Sequence, residues 1–221
     1  MVLDRYRTRA HAQVERLSRP FLRWSPDTLS RLALAAAIVA GGLAALVRFT
    51  TPYLFLAVAA AILVSGLFDL VDGEVARRTR RAGVRGDFVD HVFDRYSDVA
   101  IVLGLAASGF ANPILALLAL VSLLLVSYMG TQAQAVGVGR TYGGLLGRAD
   151  RLIVLAVATF LEFDWSLPWP WAPDAPWAHF AVAGIGFTVI DVALAYFVVA
   201  GQWTAVSRAV RTYRALPPPV A

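Results

Sequence analysis

The chain has 221 residues, of which 58% are hydrophobic and 16% are charged, and its mean hydropathy is +0.64. These proportions exclude an ordinary water-soluble domain and indicate an integral membrane protein. No cysteine is present, which excludes disulfides, thiolate chemistry and cysteine-ligated metals, and the formal net charge of +5 comes entirely from arginine because there is no lysine. We expect membrane lipid as a partner and no nucleic acid.

Residues 1–24 form a basic, amphipathic segment. Arginines at positions 5, 7, 9, 16, 19 and 23 alternate with apolar residues such as Leu3, Leu17 and Phe21. This pattern suits a helix that lies at an anionic membrane surface, and a solvated helix ahead of the first span is the alternative. The segment lacks an apolar run, so we expect no cleavable signal peptide.

Six apolar runs follow between residues 25 and 205, and each is long enough, with its flanks, to cross a bilayer. The helix-start signal Ser25-Pro26-Asp27 opens the first of them. The runs lie at about 29–47, 52–70, 90–110, 113–136, 151–163 with flanking residues, and 178–203. The sequence therefore predicts an all-α bundle of six transmembrane helices, with an amphipathic segment before it and a basic cytoplasmic tail, residues 206–221, after it.

Arginines are concentrated in alternate loops. They occupy the N-terminal segment, the loops after the second and fourth runs, and the tail, whereas the other loops hold almost none. Short cytoplasmic loops collect arginine. We therefore predict a multi-pass protein of the cytoplasmic membrane, with both termini and the loop after the second run in the cytoplasm. The last outer loop holds Trp165, Trp169, Trp171 and Trp177, which is typical of an aromatic belt.

An acidic stretch joins the second run to the third. Asp69 and Asp72 are three residues apart, and Asp90 and Asp94 are four apart, so each pair projects from one face of its helix. Four carboxylates brought together repel one another and favour a bound cation, and oxygen ligands suit Mg²⁺, Mn²⁺ or Ca²⁺ rather than zinc. Two such ions form the clamp used in phosphoryl chemistry. An acidic helix interface balanced by the five nearby arginines is the alternative.

Two further carboxylates lie in the third run at helical spacing from these. We interpret Asp87 as a charge that stabilises the N-terminus of the helix, and Asp98 as a polar contact inside the bundle. Neither is assigned to the cation site.

The stretch from Asp69 to Asp94 reads D-x2-D-G-x2-A-R-x8-G-x3-D-x3-D and resembles the signature of the CDP-alcohol phosphotransferase family. The six runs and the basic N-terminal segment are similar to that family too. The resemblance implies a phospholipid synthase that transfers a lipid phosphate group from CDP-archaeol or CDP-diacylglycerol to a small polar alcohol and releases CMP. It also implies two Mg²⁺ or Mn²⁺ ions and a homodimer.

The same resemblance assigns roles to individual residues. Asp69, Asp72 and Asp90 would be metal ligands. Asp94 would be a fourth ligand, or the general base that removes the proton of the acceptor hydroxyl. The contacts to CDP would come from Asp27, Asp69, Gly73, Ala76, Arg77 and Gly86.

The acceptor region is expected at residues 143–151. This segment is similar to the region of archaetidylinositol-phosphate and phosphatidylinositol-phosphate synthases in which two arginines bind the acceptor's phosphate. Arg148 and Arg151 fit that role, with Arg208 or Arg211 as a third arginine from the tail. Inositol phosphate is therefore the expected acceptor, and ordinary cytoplasmic loop charge is the alternative interpretation of these arginines.

Gly130 and Gln132 differ from the pattern of bacterial inositol-phosphate users, which carry basic residues at these places. Glycerol phosphate, an unphosphorylated polyol and serine therefore stay open as acceptors. A divalent-cation transporter that uses the same carboxylates is the alternative from a different functional class.

Overall fold

The computed structural model describes residues 13–139, 147–165, 180–182 and 185–217. Within them the chain forms six long helices: α1 Pro26–Val47, α2 Leu54–Arg78, α3 Val84–Ala107, α4 Pro113–Ala135, α5 Arg148–Trp165 and α6 Val189–Ala215. Between α5 and α6, the short strands β1 Phe180–Val182 and β2 Ile185–Phe187 pair antiparallel. The described chain is thus helical apart from this hairpin.

Polar side chains fix the starts of three helices. The Ser25 hydroxyl accepts the N–H of Thr28 at 3.1 Å in the first turn of α1. The Asn112 side chain accepts two N–H groups at the start of α4. Thr188 and Asp191 form a reciprocal capping box at the start of α6. Each cap satisfies backbone donors that have no partner within the first helical turn.

The helices pack as a bundle in which α1 lies against α2 and α3, α4 against α6, and α5 against α2 and α6. Helices α1 and α3 are in backbone contact. A Cβ atom at Gly41 would overlap the carbonyl oxygen of Ala100, and a Cβ atom at Gly104 would overlap the backbone of Gly41. Glycine at these two positions therefore allows the close approach of the helices.

Apolar side chains fill the interior and also cover the outside. Phe55 and Phe197 are fully buried in the core. Phe49, Ile114 and Val199, by contrast, are 75%, 71% and 72% exposed. Apolar residues on both faces of the helices are the pattern of a bundle that is surrounded by lipid.

Four helices are long and apolar enough to cross a membrane, namely α1, α2, α4 and α6. Helices α3 and α5 have 24 and 18 residues, but both carry many charges. The charged residues are Arg85, Asp87, Asp90, Asp94, Arg95 and Asp98 in α3, and Arg148, Asp150, Arg151, Glu162 and Asp164 in α5. The structure therefore supports an all-helical membrane protein with four candidate spans, against the six that the sequence predicts.

Two of the predicted runs differ from the helices at their ends. The first residues of the run predicted at 178–203 form the β-hairpin, and α6 begins at Val189 because Thr188 caps it there. Helix α6 continues to Ala215, so most of the predicted tail is helical. Helix α3 begins at Val84 rather than at residue 90.

The described part of the N-terminal segment packs on the end of α2. Residues 13–18 are helical, and a 3-10 turn follows at Arg19–Phe21. Arg78 Nη1 donates to the carbonyl oxygen of Glu15 at 3.2 Å, and the rings of Phe21 and Phe68 meet edge-on. Other residues named in the sequence predictions lie outside the described residues: residues 1–12, residues 143–146, Trp169, Trp171 and Trp177.

Candidate active site

Three aspartates from two helices meet at one end of the bundle. Asp69 and Asp72 come from the last turns of α2, and Asp90 from the first half of α3. Each offers a carboxylate oxygen, and these three oxygens lie within 4.8 Å of one another. An all-oxygen set that carries three formal negative charges fits a hard divalent cation. We call these three residues the metal-binding cluster.

Asp72 is the most enclosed member of the cluster, with 5% exposure. The Ser30 hydroxyl, in the first turns of α1, donates to Asp72 Oδ2 at 2.5 Å. Ser30 is not among the site residues that the sequence predicts. Its position one turn after Asp27 could have indicated that it belongs to the site, because the resemblance places this helix start near the nucleotide.

Asp94 is not among the three residues of the cluster, and arginines contact its carboxylate. Arg148 Nη1 contacts Asp94 Oδ1 and lies 2.6 Å from Asp69 Oδ1. Arg95 Nη2 lies 3.4 Å from the other oxygen of Asp94. The four carboxylates that the sequence groups together are therefore arranged as three close neighbours plus Asp94, which Arg148 links to Asp69.

A first cavity of about 530 Å³ opens beside the cluster. This volume lies in the range of small-molecule sites. Its lining includes five of the six residues to which the resemblance assigns CDP, together with two cluster residues: Asp27, Gly73, Ala76, Arg77, Gly86, Asp72 and Asp90. Asp69, the sixth, is not among the described residues that line it. Arg77 donates to the buried Glu74 carboxylate at 2.8 Å, and its own side chain is 60% exposed. The fold thus brings residues from α1, α2 and α3 to one cavity.

A second cavity of about 400 Å³ reaches the cluster at Asp90. Asp87 and Asp90 line both cavities, so the two adjoin there. The lining of the second cavity also includes Asp94, Gly130, Arg148, Arg151 and Arg208. The sequence suggests Arg208 or Arg211 as the third arginine for the acceptor's phosphate. Arg208 lines this cavity, whereas Arg211 is not among the described residues that line it.

Besides Arg148, two further arginines of the second cavity are held by neighbouring groups. Arg151 Nη1 donates to Asp98 Oδ2 at 2.6 Å, and Arg151 Nε donates to the Gly147 carbonyl oxygen at 3.3 Å. Arg208 Nη1 donates to the Val126 carbonyl oxygen at 2.8 Å. These contacts orient both guanidinium groups at the wall of the cavity.

A family model for the CDP-alcohol phosphatidyltransferases matches residues 23–190 of the chain, which include the cluster and most of both cavity walls. The chain belongs to this family. The resemblance recognised in the stretch from Asp69 to Asp94 is thereby confirmed. Membership of a transferase family also decides against the divalent-cation transporter that the sequence left open.

One relative of this CDP-alcohol phosphatidyltransferase is the archaetidylinositol phosphate synthase of Methanothermobacter thermautotrophicus. It is 38% identical over 134 residues, which are 60% of this chain and 66% of that protein. The chain thus aligns with slightly less than two thirds of the relative's length.

Two solved structures of the Mycobacterium tuberculosis phosphatidylinositol phosphate synthase share the fold. The structure with CDP-DAG bound has a TM-score of 0.67 and 25% identity, and the match covers 94% of this chain and 98% of that one. The structure in complex with manganese and citrate has a TM-score of 0.69 and 26% identity, with 94% and 93% covered. The helical architecture is therefore that of a phospholipid-synthesising family.

Proposed function

We propose that the protein transfers a phosphatidyl- or archaetidyl-type group from a CDP-lipid to inositol phosphate and releases CMP. The observation that carries this proposal is the position of Asp90, which belongs to the metal-binding cluster and lines both cavities. A donor in the first cavity and an acceptor in the second would meet at the cluster. The relatives that are named archaetidylinositol and phosphatidylinositol phosphate synthases support the choice of acceptor.

The first cavity would hold the CDP part of the donor, in contact with Asp27, Gly73, Ala76, Arg77 and Gly86. A Cβ atom at Gly86 would meet no protein atom within 4 Å, so protein packing does not require glycine there. The close approach of a nucleotide to the backbone would require glycine at this position. Glu74 orients the exposed guanidinium of Arg77, which can bind a phosphate through charge-assisted hydrogen bonds.

Asp69, Asp72 and Asp90 would hold Mg²⁺ or Mn²⁺, and Asp94 would contribute to a site for a second ion. Such ions, when bound, neutralise the charge of the diphosphate. The relative that was crystallised with manganese supports this ion type. The contact of Ser30 with Asp72 would then fix the direction of one ligand.

The second cavity would bind the phosphate of the acceptor through Arg148, Arg151 and Arg208. Three guanidinium groups favour a phosphorylated acceptor over serine. A Cβ atom at Gly130 would lie 3.3 Å from Arg208 Nη1, so glycine leaves room for this guanidinium. Arg208 thus brings a cation to the position beside Gly130. Glycerol phosphate carries the same charged group and is the competing acceptor.

Asp94 would act as the general base. It lines the second cavity, where it would take the proton of the acceptor hydroxyl while that oxygen attacks the lipid-bearing phosphorus. A phosphorus–oxygen bond to CMP then breaks, and CMP leaves with the electron pair. Arg95 and Arg148 would hold the Asp94 carboxylate in the required direction.

We further propose that all six helices cross the membrane, with residues 1–24 at its surface and both termini and the active site in the cytoplasm. Arginine enrichment of alternate loops supports this orientation. The last charge of α3 is Asp98, and an apolar stretch at residues 99–107 completes that helix. Residues 25–205 would form the catalytic bundle and residues 206–221 a basic tail, in a homodimer.

A panel of acceptors tests the proposed reaction. Purified protein in lipid vesicles receives Mn²⁺, CDP-diacylglycerol or CDP-archaeol, and one of inositol phosphate, glycerol phosphate, serine or free inositol. CMP release is expected with inositol phosphate. Release with glycerol phosphate alone would reassign the acceptor, and no release with any acceptor would overturn the proposed function. The variant Asp94→Asn serves as the inactive control that keeps the fold.

A further inference from the structure

Asp98 extends the row of acidic residues into the interior of the bundle. It follows Asp90 and Asp94 at intervals of four residues, so the three lie along one face of α3. The Asp98 side chain is 4% exposed, whereas that of Asp90 is 39% exposed. A carboxylate at this depth is costly unless a cation pairs with it. Asp98 is not among the lining residues of either cavity.

The partner of Asp98 is an arginine of the second cavity. Arg151 Nη1 lies 2.6 Å from Asp98 Oδ2, and both side chains are almost fully buried. Arg95 Nη2 is a more distant neighbour, at 3.5 Å. The short, enclosed Asp98–Arg151 pair belongs to the class of charge-assisted hydrogen bonds that fix geometry as well as charge.

Two contacts together determine where the Arg151 guanidinium lies. Asp98 on α3 holds Nη1, and the Gly147 carbonyl oxygen holds Nε at 3.3 Å. Gly147 directly precedes Arg148, which lies in the same cavity wall. The Asp98 carboxylate therefore ties the start of α5, with its two arginines, to α3, which carries Asp90 and Asp94.

We propose that Asp98 is a positioning residue for acceptor binding, because it holds Arg151 in the direction needed to meet the acceptor's phosphate. The inference rests on the proposed function, since the second cavity must take a phosphorylated acceptor. Asp98 is buried and lines neither cavity, and the proposal is that it nevertheless raises the affinity of the protein for the acceptor. A purely structural role would instead consist of neutralising Arg151 inside the bundle.

A double-variant cycle separates these two roles. The proteins are the wild type, Asp98→Asn, Arg151→Gln and the combination, each assayed for the acceptor KM, the CDP-lipid KM and the unfolding temperature. We expect each single change to raise the acceptor KM about tenfold, as the loss of one charge-assisted contact does. The combination should be no worse than the larger single effect, because Asp98 acts through Arg151. The CDP-lipid KM should stay unchanged.

Glu162→Gln is the matched control, since Glu162 is a buried carboxylate at the other end of α5. It should lower the unfolding temperature without changing the acceptor KM. The positioning role would be overturned if the effects of Asp98→Asn and Arg151→Gln on the acceptor KM multiply in the combined variant. It would also be overturned if these changes raise the acceptor KM and the CDP-lipid KM equally. Calorimetric binding of inositol phosphate to the same four proteins gives a readout that does not need turnover. If the wild type releases no CMP, the proposed function fails, and the binding cycle still decides the role of Asp98. A wild type that binds no inositol phosphate overturns both.

Discussion

Ser30 on α1 donates a 2.5 Å hydrogen bond to Asp72 on α2, and so joins the start of one helix to the metal-binding cluster at the end of another. The same hydroxyl lies 3.1 Å from the Pro26 carbonyl oxygen, which orients it within its own helix. The loss of a group that orients a metal ligand commonly weakens metal binding by about 10-fold to 100-fold. The contact therefore leads to the first prediction.

Ser30→Ala should weaken Mn²⁺ binding by about 10-fold to 100-fold, because Asp72 loses the donor that fixes its direction. Electron paramagnetic resonance of free Mn²⁺, titrated against the purified protein, measures the change. Ser65→Ala is the matched control. Ser65 is also buried between α1 and α2, and it donates to the Ala33 carbonyl oxygen at 2.8 Å, away from the cluster. Equal Mn²⁺ affinity in the wild type and Ser30→Ala would contradict the prediction.

Asp72→Asn should reduce CMP release at least about 100-fold, because an amide is a weaker ligand for a hard cation and the cluster loses a third of its charge. Chelation of divalent ions with EDTA should abolish the activity of the wild-type protein, and added Mn²⁺ should restore that activity. Asp164→Asn, an exposed change in α5 far along the chain from the cluster, should leave the rate unchanged. Full activity in EDTA would show that the cluster does not serve a metal-dependent step.

The residues of the acidic stretch could be predicted as a group because helical spacing is local information. Positions three or four apart share a helix face, whatever the rest of the chain does. Asp69, Asp72 and Asp90 accordingly meet in the structure. The separation of Asp94 was not predictable in this way. Its carboxylate contacts Arg148, which comes from a helix that begins more than fifty residues later in the chain, and no local pattern links the two.

The long-range ion pairs and the helix ends explain the other differences. The partner of Asp98 is Arg151, 53 residues away, and no local pattern links them. The run at 178–203 is apolar enough to suggest a helix throughout, but the Thr188 and Asp191 capping box starts α6 only at Val189. Hydropathy alone does not register such a cap. Hydropathy likewise does not mark the start of α3, which begins at Val84, because charged residues occupy its first turns.

Arg208→Gln should raise the acceptor KM about tenfold, because the second cavity loses one of the guanidinium groups proposed to bind phosphate. The KM for the CDP-lipid should stay close to that of the wild type, since Arg208 is not among the residues that line the first cavity. Arg211→Gln, one turn along the same helix and exposed, is the control and should change neither value. A rise in the CDP-lipid KM alone would argue against an acceptor role for Arg208.

Gly41→Ala should destabilise the protein by about 1–3 kcal/mol, the usual cost of forcing an extra methyl group into a packed contact. The new Cβ atom would overlap the carbonyl oxygen of Ala100, so α1 and α3 would have to separate. Because α3 carries Asp90 and α1 carries Ser30, the separation should also lower the activity. Thermal unfolding in detergent, followed by circular dichroism, together with CMP release, measures both effects.

Gly42→Ala provides the control for this contact at the neighbouring position. A Cβ atom at Gly42 would meet no protein atom within 4 Å, so the change adds a methyl group to the outer face of the same helix. Alanine also has the higher helix propensity, by about 1 kcal/mol. We therefore expect Gly42→Ala to leave the unfolding temperature unchanged or to raise it. Equal loss of stability in both variants would mean that α1 tolerates no added bulk on either face, and that the close α1–α3 contact is not the cause.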